Sequence, residues 1–269
     1  MKINILLPYK EKFDENKASS VSITVKNNLS HTKFLSHIKV YGKNVEKPLF
    51  KDNFEGIKYS IFSLKSKNAF LAYKMLKIMS KESSKKQLIE IHNRPYLVDQ
   101  IAKANNFPIT LFIHNDPQTM KGSKSVKDRK NILKKCAAVF CVSEYIKNKF
   151  LEGVLIKNEK VHILHNGVDR QLKKFPIKKK EILFVGRLVL EKGVDLYVDV
   201  VENIAKNFPD WTFELIGSFR LGDDKNKDAF ANNIINKFKN ISNQTKYHGF
   251  KNQDFIQEKM KTASIIVIP

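Results

Sequence analysis

ILFVGRLVLEKGVDLYVDVV, residues 182–201, decides the fold class. ILFV is a continuous run of β-branched and large apolar residues, the pattern of a strand buried on both faces. Gly186-Arg187 turns the chain, and from about Lys192 the apolar residues recur at helical spacing. Strand, tight turn and helix in that order make the repeating unit of a parallel α/β sheet. Ligands of such sheets sit at the carboxyl ends of the strands, so the turn is where chemistry is expected. Gly186 lets the backbone approach a ligand closely. Arg187 and Lys192 put two cations above the strand end, and the free amides of a helix start add partial positive charge. That set suits a diphosphate. The competing account is a solvated loop in a lysine-rich chain.

The same alternation runs in both directions from this element. Upstream, strands are expected at 3–8, 34–42, 56–64, 87–92, 109–114, 137–143 and 161–169, with helices at 68–82, 94–105, 126–136 and 144–153. RQLKKFPIKKK, 170–180, has no periodicity and carries six basic side chains, so it reads as a linker. Beyond it, strands at 181–186, 211–217, 245–250 and 264–269 alternate with helices at 192–208, 229–240 and 255–263, and 219–228 is a polar loop. The expected fold class is α/β, with two Rossmann-like doubly wound domains over 1–172 and 173–269.

Composition narrows the function. The 269 residues are 42% hydrophobic and 28% charged, which is globular rather than disordered. The net charge is +22, yet the 49 basic residues include five arginines. A surface built to grip phosphates leans on arginine, whose planar fork matches them. An AT-rich coding bias accounts for the lysines, and attraction to an anionic membrane is the alternative. No helix-turn-helix, zinc or aromatic-interleaved basic motif is present, so nucleic acid is not an expected partner. The two cysteines, in KKCAAVFCVS (134–143), read as small core residues and suit a reducing cytoplasm. MKINILLPYK does not read as a secretory signal, and no apolar run approaches the roughly 20 residues that span a bilayer, so any membrane contact is expected to be peripheral.

FVGRLVLEKG, 184–193, resembles the F-V-G-R-L-x-x-x-K-G element of the family 4 glycosyltransferases. HNGVD (165–169) and HGF (248–250) with ASIIVIP (263–269) are similar to the family's flanking signatures. IHNRPYL (91–97), LFIHNDPQTMKG (111–122) and CVSEYIKNKFLEG (141–153) resemble the bacterial branch that builds lipopolysaccharide and other surface saccharides. The resemblance implies a GT-B fold and retaining transfer of a hexose. The donor is a nucleotide sugar, and the acceptor is a lipid-linked saccharide or lipopolysaccharide core at the inner face of the cytoplasmic membrane. It implies that Arg187 and Lys192 neutralise the departing diphosphate without a metal, and that no cofactor beyond the donor substrate is needed. His114, ending its strand, is implied to lie near the donor sugar; a histidine that only caps its own turn is the alternative. His92 is a weaker candidate on the acceptor side, and His165 reads as hinge structure. Asp223-Asp224 reads as loop rather than as a metal pair.

Two departures from the family stand out. Many members carry a Gly-Gly loop after the first strand; here Ala18-Ser19-Ser20 precede a helix, where Ser19 and Ser20 can still present amides and hydroxyls to a phosphate. The family's two glutamates beyond SIIVIP are missing. The expectation is therefore a C-terminally truncated donor domain, marginally stable over 181–269 and with apolar surface exposed. A non-catalytic truncated or split-gene fragment, completed by a separate C-terminal piece, is the alternative.

Overall fold

The computed structural model describes residues 1–155, 159–169, 174–219 and 228–269. The chain divides into two compact units, Met1–Asp169 and Arg170–Pro269.

The first unit is a seven-stranded parallel sheet in the order β3-β2-β1-β4-β5-β6-β7. Its strands are β1 (Lys2–Leu6), β2 (Ile38–Lys43), β3 (Phe54–Ile57), β4 (Gln87–His92), β5 (Ile109–Ile113), β6 (Ala138–Cys141) and β7 (Val161–Ile163). Helices α1 (Ser20–His31), α2 (Lys67–Met79), α3 (Tyr96–Ala104), α4 (Val126–Lys135) and α5 (Glu144–Leu151) connect them. The two-residue period of a strand splits β1 between two cores. Ile5 and Leu7 pack with Val21, Val25 and Leu29 of α1, whereas Leu6 joins Leu71 and Met75 of α2 on the other face. Cys136 and Cys141 lie unpaired and fully buried in the second of these cores, and burial pushes both thiols up to about 12.

The second unit is a four-stranded parallel sheet, β10-β9-β8-β11. It comprises β8 (Lys179–Val185), α6 (Val194–Ile204), β9 (Thr212–Ile216), α7 (Ala229–Ile241), β10 (Thr245–Gly249), α8 (Gln253–Thr262) and β11 (Ala263–Val267). Phe184, Phe213 and Leu215 pack under α6 and α7, with Tyr197 and Phe238 filling the layer. The opposite face is thinner: Leu183, Ile216 and Ala263 meet Phe255 and Ile256 of α8. Glu214 also points to that side. It is fully buried and held by Lys259 Nζ at 2.7 Å and His248 Nε2 at 3.0 Å. At the sheet edge, β11 leaves Ile265 and Ile266 exposed.

Several expectations shift by local geometry. The strand expected at 56–64 is short: Lys43, the last residue of β2, pairs with Ile57, so 58–64 have no neighbour and turn away. Residues Leu35–His37 form a 3₁₀ turn instead of the start of β2. The strand expected to run from 161 keeps only Val161–Ile163. The basic linker ends early, because Lys179 and Lys180 already belong to β8. The helix expected at 192–208 is split: Leu190–Lys192 is a 3₁₀ turn, Gly193 takes φ +60°, and α6 starts at Val194. Residues 170–173 of the linker and most of the polar loop, 220–227 with Asp223-Asp224, lie outside the described residues. No helix of the described residues is long and apolar enough to cross a membrane.

The buried Glu214 makes a direct test of the thin face. Lys259→Met leaves the buried carboxylate with His248 as its remaining partner, and is expected to lower the stability of the second unit by about 3 kcal/mol. Adding Glu214→Leu should recover most of that loss. Urea unfolding followed by the fluorescence of Trp211, the single tryptophan, reads both.

Candidate functional site

Glycine stands at the carboxyl end of three neighbouring strands of the second unit: Gly186 after β8, Gly217 after β9 and Gly249 closing β10. Their backbones continue to pair past the strands. Gly186 N–H donates to Ile216 O at 3.0 Å, Gly217 N–H to Gly249 O at 2.9 Å, and Leu188 N–H to Ser218 O at 3.1 Å. Gly217 has φ +146°, and a Cβ there would stand 1.7 Å from the carbonyl oxygen of Gly186. No side chain fits, so the strand ends form a bare floor.

A cleft of about 140 Å³ opens on this floor, with Arg187, Ser218, Phe250 and Lys251 among its lining residues. Arg187 is half exposed, and its Nη2 lies 3.5 Å from the carboxylate of Glu191, itself mostly in solvent. An exposed pair of this kind is worth little and leaves the guanidinium able to take a stronger anion. Gly186 and Arg187 thus share the cleft. Lys192 does not line it. It ends the 3₁₀ turn, exposed, because the left-handed Gly193 interrupts the helix that the sequence pattern runs through it. A Cβ on Gly193 would fall 2.5 Å from the ring of Pro269, so the start of α6 is seated against the end of β11. Lys251 was not singled out from the sequence; its place directly after HGF, at the end of a strand, is the signal that could have found it.

In the first unit the strand order reverses between β1 and β4, which is where a doubly wound sheet opens a crevice. Ser19 lies at this opening but is not available. It is buried, its hydroxyl donates to the Glu11 carboxylate, and its Oγ accepts from Lys12 N–H at 3.2 Å. Ser19 consequently makes no side-chain cap to α1. Ser20, the first residue of α1, is exposed.

His114 follows β5. Its Nε2 lies 2.9 Å from Nδ1 of the fully buried His92, whose Nε2 is 2.8 Å from Glu90 Oε1. A carboxylate only accepts, so His92 Nε2 carries a proton. In the neutral form of the His92 ring Nδ1 accepts, and the shared proton then sits on His114 Nε2. His114 Nδ1 then remains as an acceptor. Burial first and the neighbouring His92 second pull the His114 pKa down to about 3, which keeps the ring neutral. Asn93, at φ +49°, fixes the geometry: it takes His114 N–H on Oδ1 at 2.8 Å and gives its own N–H to Phe112 O at 2.9 Å. Arg94 Nη1 donates to Asn93 O at 2.6 Å, and burial pulls its pKa below the usual arginine value. His92, Phe112, Phe140 and His162 occupy paired positions on four adjacent strands and stack in sequence, with centroids 4.7–5.6 Å apart. Glu90, Asn93 and Arg94 were missed by the sequence reading, although the polar pair directly after a strand end marks the position. No group of three or more His, Cys, Asp or Glu side chains that could hold a metal is found among the described residues.

Residues 38–172 match the sequence profile described as Glycosyltransferase Family 4, and residues 168–269 match that of Glycosyl transferases group 1. The chain belongs to glycosyltransferase family 4. It is 31% identical over 131 residues to the uncharacterized glycosyltransferase MJ1178 of Methanocaldococcus jannaschii, covering 49% of this chain and 33% of that protein. It is 20% identical over 215 residues to the alpha-D-kanosaminyltransferase of Streptomyces kanamyceticus, covering 75% of this chain and 50% of that one. The family 4 chain therefore spans between a third and a half of the curated relatives it matches. Among solved structures, Anabaena Alr3699/HepE in complex with UDP and glucose superposes with a TM-score of 0.69 at 16% identity, over 100% of this chain and 74% of that one. Trehalose-6-phosphate synthase OtsA gives 0.70 at 12% identity, over 100% and 78%. These likenesses confirm the α/β fold with two Rossmann-like sheets.

The histidine chain sets two measurable properties. Nitrogen-15 spectra at pH 7 should show His114 protonated on Nε2, and Glu90→Gln should disturb that tautomer without unfolding the sheet. His114 takes a proton near pH 6.5 when unfolded but near 3 when folded, so stability should fall as pH drops through this window. A urea midpoint that falls less on acidification in His114→Gln than in the wild type checks the sign.

Proposed function

We propose that this family 4 chain takes part in retaining transfer of a hexose from a nucleotide-sugar donor to a saccharide or glycolipid acceptor. The observation that carries the proposal is the glycine-floored cleft with Arg187 at its rim. When the sugar–phosphate bond breaks, negative charge builds on the diphosphate. Fixed cations stabilise that charge without reorganising. Arg187 is the main such group, Lys251 a second within the cleft, and Lys192 an outer one that meets the diphosphate only as a more distant charge. In the first unit, the acceptor nitrogen of His114 suits a sugar hydroxyl as donor of a hydrogen bond. The solved HepE complexes hold UDP with glucose and UDP-glucose, and a TarM complex holds UDP with alpha-GlcNAc-glycerol, which supports a uridine diphosphate as the first donor to try. Retaining stereochemistry, a lipid-linked or lipopolysaccharide acceptor and action at the inner face of the cytoplasmic membrane follow from the motif resemblance, and the 1–172 and 173–269 domain boundaries from the aperiodic basic linker.

A second reading is nucleotide binding without turnover by this chain alone. The exposed Ile265 and Ile266 on β11 favour it, since an open apolar edge invites further packing.

Titration calorimetry with UDP separates these outcomes from failure. Arg187→Ala should weaken binding by about 10- to 100-fold, the worth of a charged hydrogen bond, and Lys192→Ala by less. Absence of binding by the wild type, or unchanged affinity in Arg187→Ala, rules out the cleft. Binding with no release of sugar from any donor selects the second reading.

A further inference from the structure

The turn after β3 exposes its apolar side chains instead of burying them. Ile61, Phe62 and Leu64 are 84%, 89% and 105% exposed, three large hydrophobic groups within four residues. Isolated exposed apolar residues need no explanation, but a contiguous tip of this kind does. The tip is also preformed. Ser63 N–H donates to Ser60 O at 3.1 Å, and the Tyr59 hydroxyl reaches the carbonyl oxygens of Ser63 and Lys65 at 3.3 and 3.0 Å. Tyr59 itself is locked edge-on between Tyr9 and Phe70.

Along the chain, the residues that flank the tip are basic, with Lys58, Lys65 and Lys67 nearest to it and Lys77 and Lys81 toward the far end of α2. Between Glu55 and Glu82 the chain carries Lys58, Lys65, Lys67, Lys74, Lys77 and Lys81 and no acidic residue. The two bounding glutamates are each ion-paired elsewhere, Glu55 with Lys39 and Glu82 with Lys2. Lys65 lies over the ring of Tyr73, and Lys67 over those of Tyr9 and Tyr59, so the cations ring an aromatic collar behind the apolar tip.

We propose that residues 58–67 form a membrane-inserting finger specific for anionic lipid. Ile61, Phe62 and Leu64 enter the acyl boundary, the tyrosines sit at headgroup depth, and the lysines meet lipid phosphates. Neither signal alone holds a protein to a bilayer; an apolar anchor combined with a basic collar does. The position supports this occupant over others. All strands of the first sheet run parallel, so the finger leaves the same sheet edge as His92 and His114. At the usual strand spacing it stands about 14 to 19 Å along that edge from the ends of β4 and β5. A lipid surface held there would bring a lipid-linked acceptor to the height of the histidine chain. The inference extends the proposed transfer reaction, but vesicle binding is read without donor or turnover, so either can fail alone.

The test is sedimentation of the 269-residue chain with vesicles of phosphatidylcholine alone or mixed equally with phosphatidylglycerol. The wild type should bind the anionic vesicles only. Ile61→Ser/Phe62→Ser/Leu64→Ser should weaken that binding by at least about tenfold, whereas Lys127→Ser/Lys134→Ser on α4 should weaken it far less. In Phe62→Trp, bromine-labelled acyl chains should quench fluorescence beyond the level set by Trp211. Equal binding by the triple variant, or quenching no greater than wild type, overturns insertion and leaves the overall charge as the cause. A wild-type dimer that becomes monomeric in the triple variant overturns it in favour of a second copy covering the finger.

Discussion

The carbonyl oxygen of Gly186 occupies the place where residue 217 would carry a side chain. That single backbone contact sets the carboxyl end of the second sheet. It lets β8 and β9 stay paired one residue beyond their last strand positions, and it brings Gly249 of β10 into the same row. Arg187 follows at once, so its direction is inherited from backbone hydrogen bonds and not from packing of its own side chain. Building a charged cleft this way suits an anionic ligand: the floor presents no Cβ atoms, and the cation is placed before the ligand arrives.

The first unit reaches a comparable end by a different route. Its strand ends are fastened by Asn93, a residue in the left-handed region that asparagine tolerates better than most. Its side chain ties β4 to β5, and the stacked rings of His92, Phe112, Phe140 and His162 extend the tie across four strands. His114 hangs from this lattice with its proton assigned by Glu90 two positions removed in the chain of contacts. One unit positions chemistry with glycine and backbone, the other with buried polar side chains whose hydrogen bonds are all directed inward.

Strands buried on both faces were the most legible feature of the sequence. QLIEIH is β4 to the residue. Edge elements were misread for a consistent reason. Whether 58–64 continues β3 depends on a neighbour that β2 does not provide, and pairing is not written in the segment itself. Lys192 was placed on a helix because apolar spacing runs unbroken through Gly193, and only the backbone angle reveals the interruption. Ser19 has the right chemistry for a helix start but is claimed by Glu11, eight residues earlier, a contact no local pattern encodes. His114 and Arg187 were singled out from the family motifs and from their positions at strand ends. Glu90, whose role depends on His92 lying between it and His114, could not be.

The two cysteines have a use that their burial creates. Both lie in the first unit, both are inaccessible in the folded state, and their thiols ionise only near pH 12. A thiol reagent at neutral pH therefore reacts with them only when that unit opens. The second unit contains none. The native chain is in effect a built-in recorder of breathing in one half of the molecule, silent about the other, and needs no engineered label to read it.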